Sequence, residues 1–161
     1  QRTAFIGSDN RLAGERLGAA IDELLKGEGM ILVENGMRQM ASHQQRLDGF
    51  LSYIEAQTQI DVLEVRYNEG KKDLALIHLE QMIDDHPHFD AFVALDIVSG
   101  ETSVLVWKAM GLSRYSLTFS LMLSVSQKER TWGTQLIDTL VKVKAGEQVP
   151  TFVDTEFELI Q

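Results

Sequence analysis

The stretch Gly27-Glu28-Gly29-Met30-Ile31-Leu32-Val33-Glu34-Asn35-Gly36 decides the fold class. Its apolar centre, Met30–Val33, lies between glycines on one side and Glu34-Asn35-Gly36 on the other, which is typical of a buried strand between two turns. Directly after it, Met40–Gln57 carries apolar residues at helical spacing. A buried strand followed by a long helix is half of a strand–helix–strand unit, and it therefore predicts a parallel sheet.

The same alternation continues outward in both directions. Short apolar runs predict further strands at Thr3–Ile6, Ile60–Tyr67, Phe89–Leu95, Tyr115–Phe119 and Phe152–Ile160. Segments of helical period predict helices from the caps Asp9 or Asn10 to Gly27, and at Met40–Gln57, Asp73–Asp85, Ile97–Met110 and Lys128–Ala145. We therefore predict an α/β protein, a single lobe over residues 1–161, with an open, doubly wound, mainly parallel sheet and helices on both faces.

One segment does not fit this alternation. Leu117–Val125 is a nine-residue apolar run interrupted only by Thr118, Ser120 and Ser124, which is longer than a buried strand of about 5–6 residues. It contains no turn residue that would make it a hairpin. We interpret it as two strands that abut near Ser120, with the connector between them absent from the sequence.

The composition excludes several kinds of protein. The 161 residues are 44% hydrophobic and 24% charged, as in an ordinary folded domain. Cysteine is absent, which excludes a disulfide scaffold, a thiolate zinc site and a cysteine nucleophile. The net charge of −9 disfavours nucleic acid and anionic membranes as partners. Neither a membrane-spanning stretch nor a signal peptide is visible, and the sequence opens at Gln1 without a methionine.

Ligands of doubly wound sheets bind at the carboxyl ends of the strands. The loops expected there are Gly7–Asn10, Asn35–Gln44, Asn68–Lys71, Asp96–Gly100 and Ser126–Arg130. Gln127 could donate to and accept from a sugar hydroxyl, or it could cap a helix. Asp96 could accept from a hydroxyl group or cap the next helix. His43 lies on a helix surface near one of these loops, and Asn68 begins another, so both are candidate ligand residues.

Other conspicuous residues have simpler explanations. The cluster Asp84–Asp90 has five potential metal ligands, but its spacing matches no ordinary site and it lies at the opposite, amino-terminal edge, so we expect a solvated turn. Arg46 is expected to form a structural ion pair, and Trp107 to lie in the core. Trp132 could be either a core or a binding residue.

No enzyme signature is present. The sequence contains no Gly-x-Ser-x-Gly nucleophile motif, no phosphate-binding Gly-x-x-x-x-Gly-Lys loop and no Gly-x-Gly-x-x-Gly after a strand. No nucleophile–base set can be named. We therefore expect no catalysis, no cofactor and no metal, and a stand-alone α/β enzyme is the weakest interpretation.

Five motifs occur in an order that resembles a known family. They are Ile6-Gly7-Ser8-Asp9-Asn10 with Ala13-Gly14, then Gly27–Gly36, Gln45-Arg46-Leu47-Asp48-Gly49-Phe50, His86–Phe92 before Asp96, and Gly146–Pro150. Together they resemble the C-terminal lobe of type I periplasmic sugar-binding proteins, the ribose-binding-like group, which shares its fold with the effector domains of LacI-type repressors. The resemblance implies two α/β lobes that close on a small ligand about a hinge.

The contact positions of the family match only in part. The resemblance places the family's ligand arginine at Gln44 and its stacking aromatic near Gly70, keeps only Asp96 of an Asn-Asp pair, and matches Gln127 cleanly. The family's first lobe, before Gln1, and a helix near residue 120 have no counterpart. Either residues are missing from the sequence at these two places, or the lobe has diverged from those that bind common sugars.

The resemblance implies an extracytoplasmic solute-binding domain for a small polar ligand, a sugar-like molecule. Its partner would be a membrane permease of an ABC importer or a sensor kinase. The alternative is the effector-binding domain of a cytoplasmic LacI-type regulator, which would need a basic DNA-binding segment outside this acidic domain, since the domain itself is not expected to contact nucleic acid.

Overall fold

The computed structural model describes residues 4–110, 121–126, 132–155 and 158–160. Within these ranges the strands are β1 (Phe5–Gly7), β2 (Glu28–Asn35), β3 (Gln59–Tyr67), β4 (Ala91–Ala94), β5 (Leu121–Ser126), β6 (Phe152–Asp154) and β7 (Glu158–Ile160). The helices are α1 (Asn10–Leu25), α2 (Ala41–Gln57), α3 (Lys72–Asp85), α4 (Ile97–Ala109) and α5 (Trp132–Lys144). None of the described helices is long and apolar enough to cross a membrane.

The main sheet has five strands in the order β3-β2-β4-β5-β7. Strand β2 pairs in parallel with β3 on one side and with β4 on the other, and β4 pairs in parallel with β5. Its residues Ile31–Val33 are fully buried because both edges of β2 are paired and both faces are covered by helices. The decisive stretch of the sequence thus forms an interior strand of the sheet.

The order of the strands reverses at β2. The chain runs outward from β2 to β3 through α2, and then returns across β2 to β4 through α3. Because such crossovers are right-handed, the reversal places successive helices on opposite faces of the sheet. Accordingly, α2 packs against α1, and α3 packs against α4. The predicted doubly wound, parallel α/β sheet is confirmed.

Glycines allow α1 and α2 to cross closely. A Cβ atom added to Gly14 would collide with the carbonyl oxygen of Arg46, and one added to Gly49 would collide with that of Arg11. The two backbones are therefore in direct contact at this crossing, and only hydrogen atoms fit between them.

The opposite face holds an aromatic cluster. Phe92 of β4 and Trp107 of α4 have ring centroids 6.1 Å apart, and Phe89 meets the same indole edge-on at 6.4 Å. Leu79 and Met82 of α3 complete the buried cluster. Trp107 is 7% exposed, which confirms its predicted place in the core.

The chain divides into two compact units. The larger unit comprises Asn10–Val125 with Leu159–Gln161, and it contains the helices α1–α4. The smaller unit comprises Gln1–Asp9 with Ser126–Glu158. In the smaller unit β1 and β6 form a separate parallel pair, and the hydroxyl groups of Ser8 and Thr155 lie 2.9 Å apart beside it.

Helix α5 of the smaller unit is amphipathic but carries its apolar residues at the surface. Leu136, Ile137, Leu140 and Val141 are between 48% and 62% exposed.

Two predictions about strands are wrong. Phe152–Ile160 is not one strand, because its first part pairs with β1 as β6 and its last part joins the five-stranded sheet as β7. The first strand of the chain, predicted for the main sheet, belongs instead to that two-stranded sheet. Alternation along a strand reports which face each side chain occupies, but it does not report which strand is the neighbour.

Around Ser120, the second of the two predicted strands corresponds to β5. The first, Tyr115–Phe119, lies outside the described residues, as does the position of the expected missing connector.

Candidate functional site

Three loops meet where the strand order reverses. They follow β2 (residues 36–40), β3 (residues 68–71) and β4 (residues 95–96), and we call this the carboxyl edge. In doubly wound sheets the crevice at such a reversal is where ligands bind, since the flanking loops turn away to opposite faces. The topology therefore places the candidate site here, within the larger unit.

Asn68 ties the three loops together. Its backbone N–H donates to the carbonyl of Asn35 at 3.0 Å, and its side-chain Nδ2 donates to Oδ1 of Asp96 at 2.9 Å. Its Oδ1 accepts from the N–H of Gly70 at 2.8 Å. The side chain is completely buried, so these hydrogen bonds fix the relative positions of the loops.

Asp96 is the N-cap of α4. Its Oδ2 accepts from the N–H of Val98 at 3.0 Å, and its Oδ1 accepts from both the N–H and the hydroxyl of Ser99. With Asn68 also bound to Oδ1 and the residue only 5% exposed, the carboxylate is largely occupied by the protein. Of the two roles that the sequence left open, the structure shows the cap.

His43 lies against the first loop. Its Nδ1 accepts from the N–H of Met37 at 2.8 Å, and its carbonyl accepts from the side chain of Asn35 at 3.1 Å. The ring packs where a side chain on residue 36 would be, which explains Gly36. Burial and nearby Arg46 lower the pKa of His43, while Asp96 and Glu69 act in the opposite direction.

Gln44 is half-buried in the first turn of α2. Its backbone N–H donates to the carbonyl of Met40 at 3.1 Å. Its side-chain Nε2 is buried and has no hydrogen-bond partner among the described residues. A buried amide donor without a partner is costly, and a ligand oxygen would satisfy it.

Arg46 is structural, since its guanidinium is buried and holds three elements together. One Nη donates to the carbonyl of Leu95 at 2.5 Å, and the other donates to Oδ1 of Asn10 at 2.6 Å. These bonds connect α2 to the end of β4 and to the start of α1.

The rim of the carboxyl edge is formed by residues that the sequence analysis did not single out. Met37, Arg38, Gln39, Met40 and Glu69 line an open depression of about 610 Å³. The Arg38 guanidinium lies 3.9 Å from the centre of the Tyr67 ring, above its face. The backbone N–H of Arg38 donates to Oε1 of Glu69 at 3.3 Å. Four of these five residues lie within the predicted loop Asn35–Gln44, but nothing in their side-chain types distinguished them.

A buried carboxyl group lies just below this edge. Glu34 of β2 is fully buried, and its Oε1 is 3.4 Å from Nδ1 of His78 on α3. Burial first, and Asp96 second, raise the pKa of Glu34 to about 8, against the opposing effect of Arg66. In the sequence, Glu34 is a single charged residue at the end of an apolar run, where the pattern predicts the turn that ends the strand.

Three further candidates from the sequence remain: Gln127, the segment Asp84–Asp90 and Trp132. Gln127 lies outside the described residues. In the segment Asp84–Asp90, Asp90 accepts from the N–H of Met30 at 2.8 Å and His86 lies 3.3 Å from Glu64. No group of three or more possible metal ligands occurs among the described residues. Trp132 is half-buried at the start of α5.

The comparisons with known proteins agree with this architecture. A family model for the periplasmic binding protein domain matches residues 1–132. No curated protein matches the chain.

Solved structures match over the whole chain at low identity. GanP, a glucose-galactose binding protein from Geobacillus stearothermophilus, is 21% identical with a TM-score of 0.86, and the alignment covers 100% of this chain and 63% of that one. AraP, an arabinose binding protein from the same organism, is 16% identical with a TM-score of 0.83, covering 99% and 63%. The fructose binding periplasmic domain of a hybrid two component system is 19% identical with a TM-score of 0.80, covering 99% and 58%.

The chain therefore spans less than two thirds of the length of these solved proteins, and the likeness shows the fold. The resemblance inferred from the five sequence motifs is confirmed by the family match, which extends over most of the chain. The chain belongs to the periplasmic binding protein domain family.

Proposed function

We propose that this chain is part of an extracytoplasmic binding domain for a small polar ligand, a sugar, and that it performs no chemistry. The observation that carries the proposal is the meeting of three hydrogen-bonded loops at the strand reversal, in a chain of this family. The solved proteins with this fold include binders of glucose-galactose, arabinose and fructose.

Within the site, the residues divide into two groups. Asn68 and Asp96 supply a frame, since their polar atoms are engaged with the protein. Gln44 and His43 are the proposed ligand contacts, together with Gln127. The free amide nitrogen of Gln44 and the Nε2 of His43 would donate to ligand hydroxyl oxygens.

The full-length protein is proposed to have two lobes, as the family resemblance implies. The apolar residues exposed on α5 would be covered by further secondary structure of a second lobe. The solved relatives are longer than this chain, which leaves room for that lobe. Closure of two lobes on a ligand would then be the signal read by a membrane partner.

The partner is proposed to be an ABC permease or a sensor kinase. One solved structure with this fold is a sugar ABC transporter's binding protein from Bacillus halodurans, and another is the fructose binding periplasmic domain of a hybrid two component system. Both kinds of partner are consistent with a binding domain on the outer side of the membrane.

A thermal-shift screen of the full-length protein tests the proposal. The panel is D-glucose, D-galactose, L-arabinose, D-fructose and D-allose, with sodium chloride as the blank. A sugar at about a hundred times its Kd stabilises the folded state by about 2.7 kcal/mol, which is a shift of several degrees. Failure of every sugar, and of a wider set of polyols, to raise the melting temperature would reject the proposal.

A further inference from the structure

His43 anchors the loop after β2 through an acceptor atom. Its Nδ1 receives the N–H of Met37 at 2.8 Å, whereas its own backbone N–H donates to the carbonyl of Met40 at 3.0 Å. The side chain of His43 thus binds Met37, near the start of residues 36–40, and the backbone of His43 binds Met40, at their end. The neutral imidazole must carry its proton on Nε2, since Nδ1 can accept only when it is unprotonated.

Protonation of this ring would remove the anchor. The imidazolium is a donor at both nitrogens, so Nδ1–H would face the N–H of Met37 and two donors would meet. A backbone N–H that has lost its acceptor must move to find another or contact water. Met37 and Arg38 would then shift relative to Gln44.

We propose that His43 is a positioning residue that makes the carboxyl edge sensitive to pH: the neutral ring holds residues 36–40 in place, and the protonated ring releases them. This rests on the proposed function in that the edge is taken to be the ligand site. The ligand would accordingly be bound more weakly in acidic surroundings.

The charged groups around His43 come from three elements. Arg46 lies on the same helix, Asp96 begins α4, and Glu69 lies in the loop after β3. Burial and Arg46 favour the neutral ring, and the two carboxylates favour the charged ring. The balance lowers the pKa of His43, so the anchored state prevails at neutral pH and release requires acidification below about 6.5.

The test follows the backbone amide of Met37 by NMR in the ligand-free, full-length protein. As the pH falls below about 6.5, the Met37 amide resonance of the wild type should move and its hydrogen exchange, corrected for intrinsic rate, should become about tenfold faster. His43→Asn keeps an acceptor near the position of Nδ1 but does not titrate, so its Met37 amide should stay protected throughout. His43→Leu should leave it unprotected at every pH.

His78→Asn is the matched control, since His78 also has a lowered pKa but lies on α3 beside Glu34. The Met37 titration should persist unchanged in this variant. The proposal is overturned if the Met37 amide stays protected while the His43 ring itself titrates, or if His43→Asn shows the same titration as the wild type.

Calorimetry with D-galactose and L-arabinose gives a second readout. The Kd of the wild type should rise about tenfold between about pH 7.5 and a pH one unit below the midpoint of the His43 titration seen by NMR, and that of His43→Asn should not. Equal Kd values for the wild type at both pH values would contradict the proposal. If no sugar binds at either pH, the proposed function fails, and the Met37 amide still decides whether His43 holds the loop.

Discussion

Oε1 of Glu34 lies 3.4 Å from Nδ1 of His78, and the Glu34 side chain is completely buried. Burial raises the pKa of Glu34 to about 8, and burial lowers the pKa of His78, with Arg66 contributing in the same direction. At pH 7 the contact is therefore between two uncharged groups. A neutral pair avoids the cost of burying an ion between the sheet and α3.

The raised pKa of Glu34 predicts a pH-dependent stability. The unfolded state releases this proton near pH 4.5 and the folded state near pH 8, so the stabilisation is complete below pH 4.5 and is lost between pH 4.5 and pH 8. Each pKa unit corresponds to about 1.4 kcal/mol, so Glu34 costs the fold several kcal/mol at pH 8. Glu34→Gln should remove this slope and be more stable than the wild type at pH 8.

Urea denaturation of both proteins across this pH range measures the effect. The difference between the two unfolding free energies isolates Glu34, because His78 and the surface carboxylates are common to both proteins. Parallel curves for the wild type and Glu34→Gln would contradict the pKa shift.

The crossing of α1 and α2 predicts a large effect from one methyl group. Gly14→Ala would drive a Cβ into the backbone of Arg46, and separation of the helices should cost about 3 kcal/mol or more. Gly133→Ala is the matched control, because nothing lies within 4 Å of its Cβ position on α5. It should be neutral or stabilising by up to about 1 kcal/mol. Melting temperatures of the two variants compare them directly, and similar values would refute the close crossing.

Asn68 and Asp96, the frame of the carboxyl edge, should contribute to stability as a coupled pair. Asp96→Ala removes the cap of α4 and leaves the Nδ2 of Asn68 without its acceptor, so we expect a loss of about 2–3 kcal/mol in unfolding free energy. Asn68→Ala removes the same contact from the other side. In a double-mutant cycle the coupling energy should exceed about 0.5 kcal/mol. Additive losses would mean that the two side chains act independently.

Replacement of Gln44 should weaken ligand binding without lowering the stability of the ligand-free protein. Gln44→Ala deletes the buried donor proposed to bind a ligand oxygen, and the Kd of the stabilising sugar should rise about tenfold. The neighbouring Gln45 is exposed on the same helix, so Gln45→Ala should leave both affinity and melting temperature as in the wild type. Equal effects of the two substitutions on Kd would remove Gln44 from the site.

The local sequence pattern predicted the interior strands of the sheet, because a strand that is buried on both faces consists of a continuous run of apolar residues. Met30–Val33 and its flanking turns gave β2, and the helical period gave α2 to within one residue at its start. The pairing of distant segments was not predictable in this way. The split of Phe152–Ile160 between two sheets depends on β1 and β5, which lie far away along the chain.

At the site, sequence position indicated the correct loops but could not separate contacts from frame. Asp96 follows a strand whether it caps a helix or binds a ligand, and only the hydrogen bonds of its two oxygens reveal the cap. The sequence pattern predicts that Glu34 lies in a turn, because a carboxyl group is rarely buried without particular neighbours that make its burial tolerable. Those neighbours, His78 and Arg66, come from other elements.

Because Asn68 and Asp96 are satisfied by the protein itself, the loops they hold need no ligand to become ordered. Little conformational entropy is then lost on binding, which favours affinity for molecules that make few contacts. The same arrangement lets selection alter the residue at position 44 without dismantling the support beneath it. A domain built in this way can acquire a new ligand by few substitutions, each at small cost to folding.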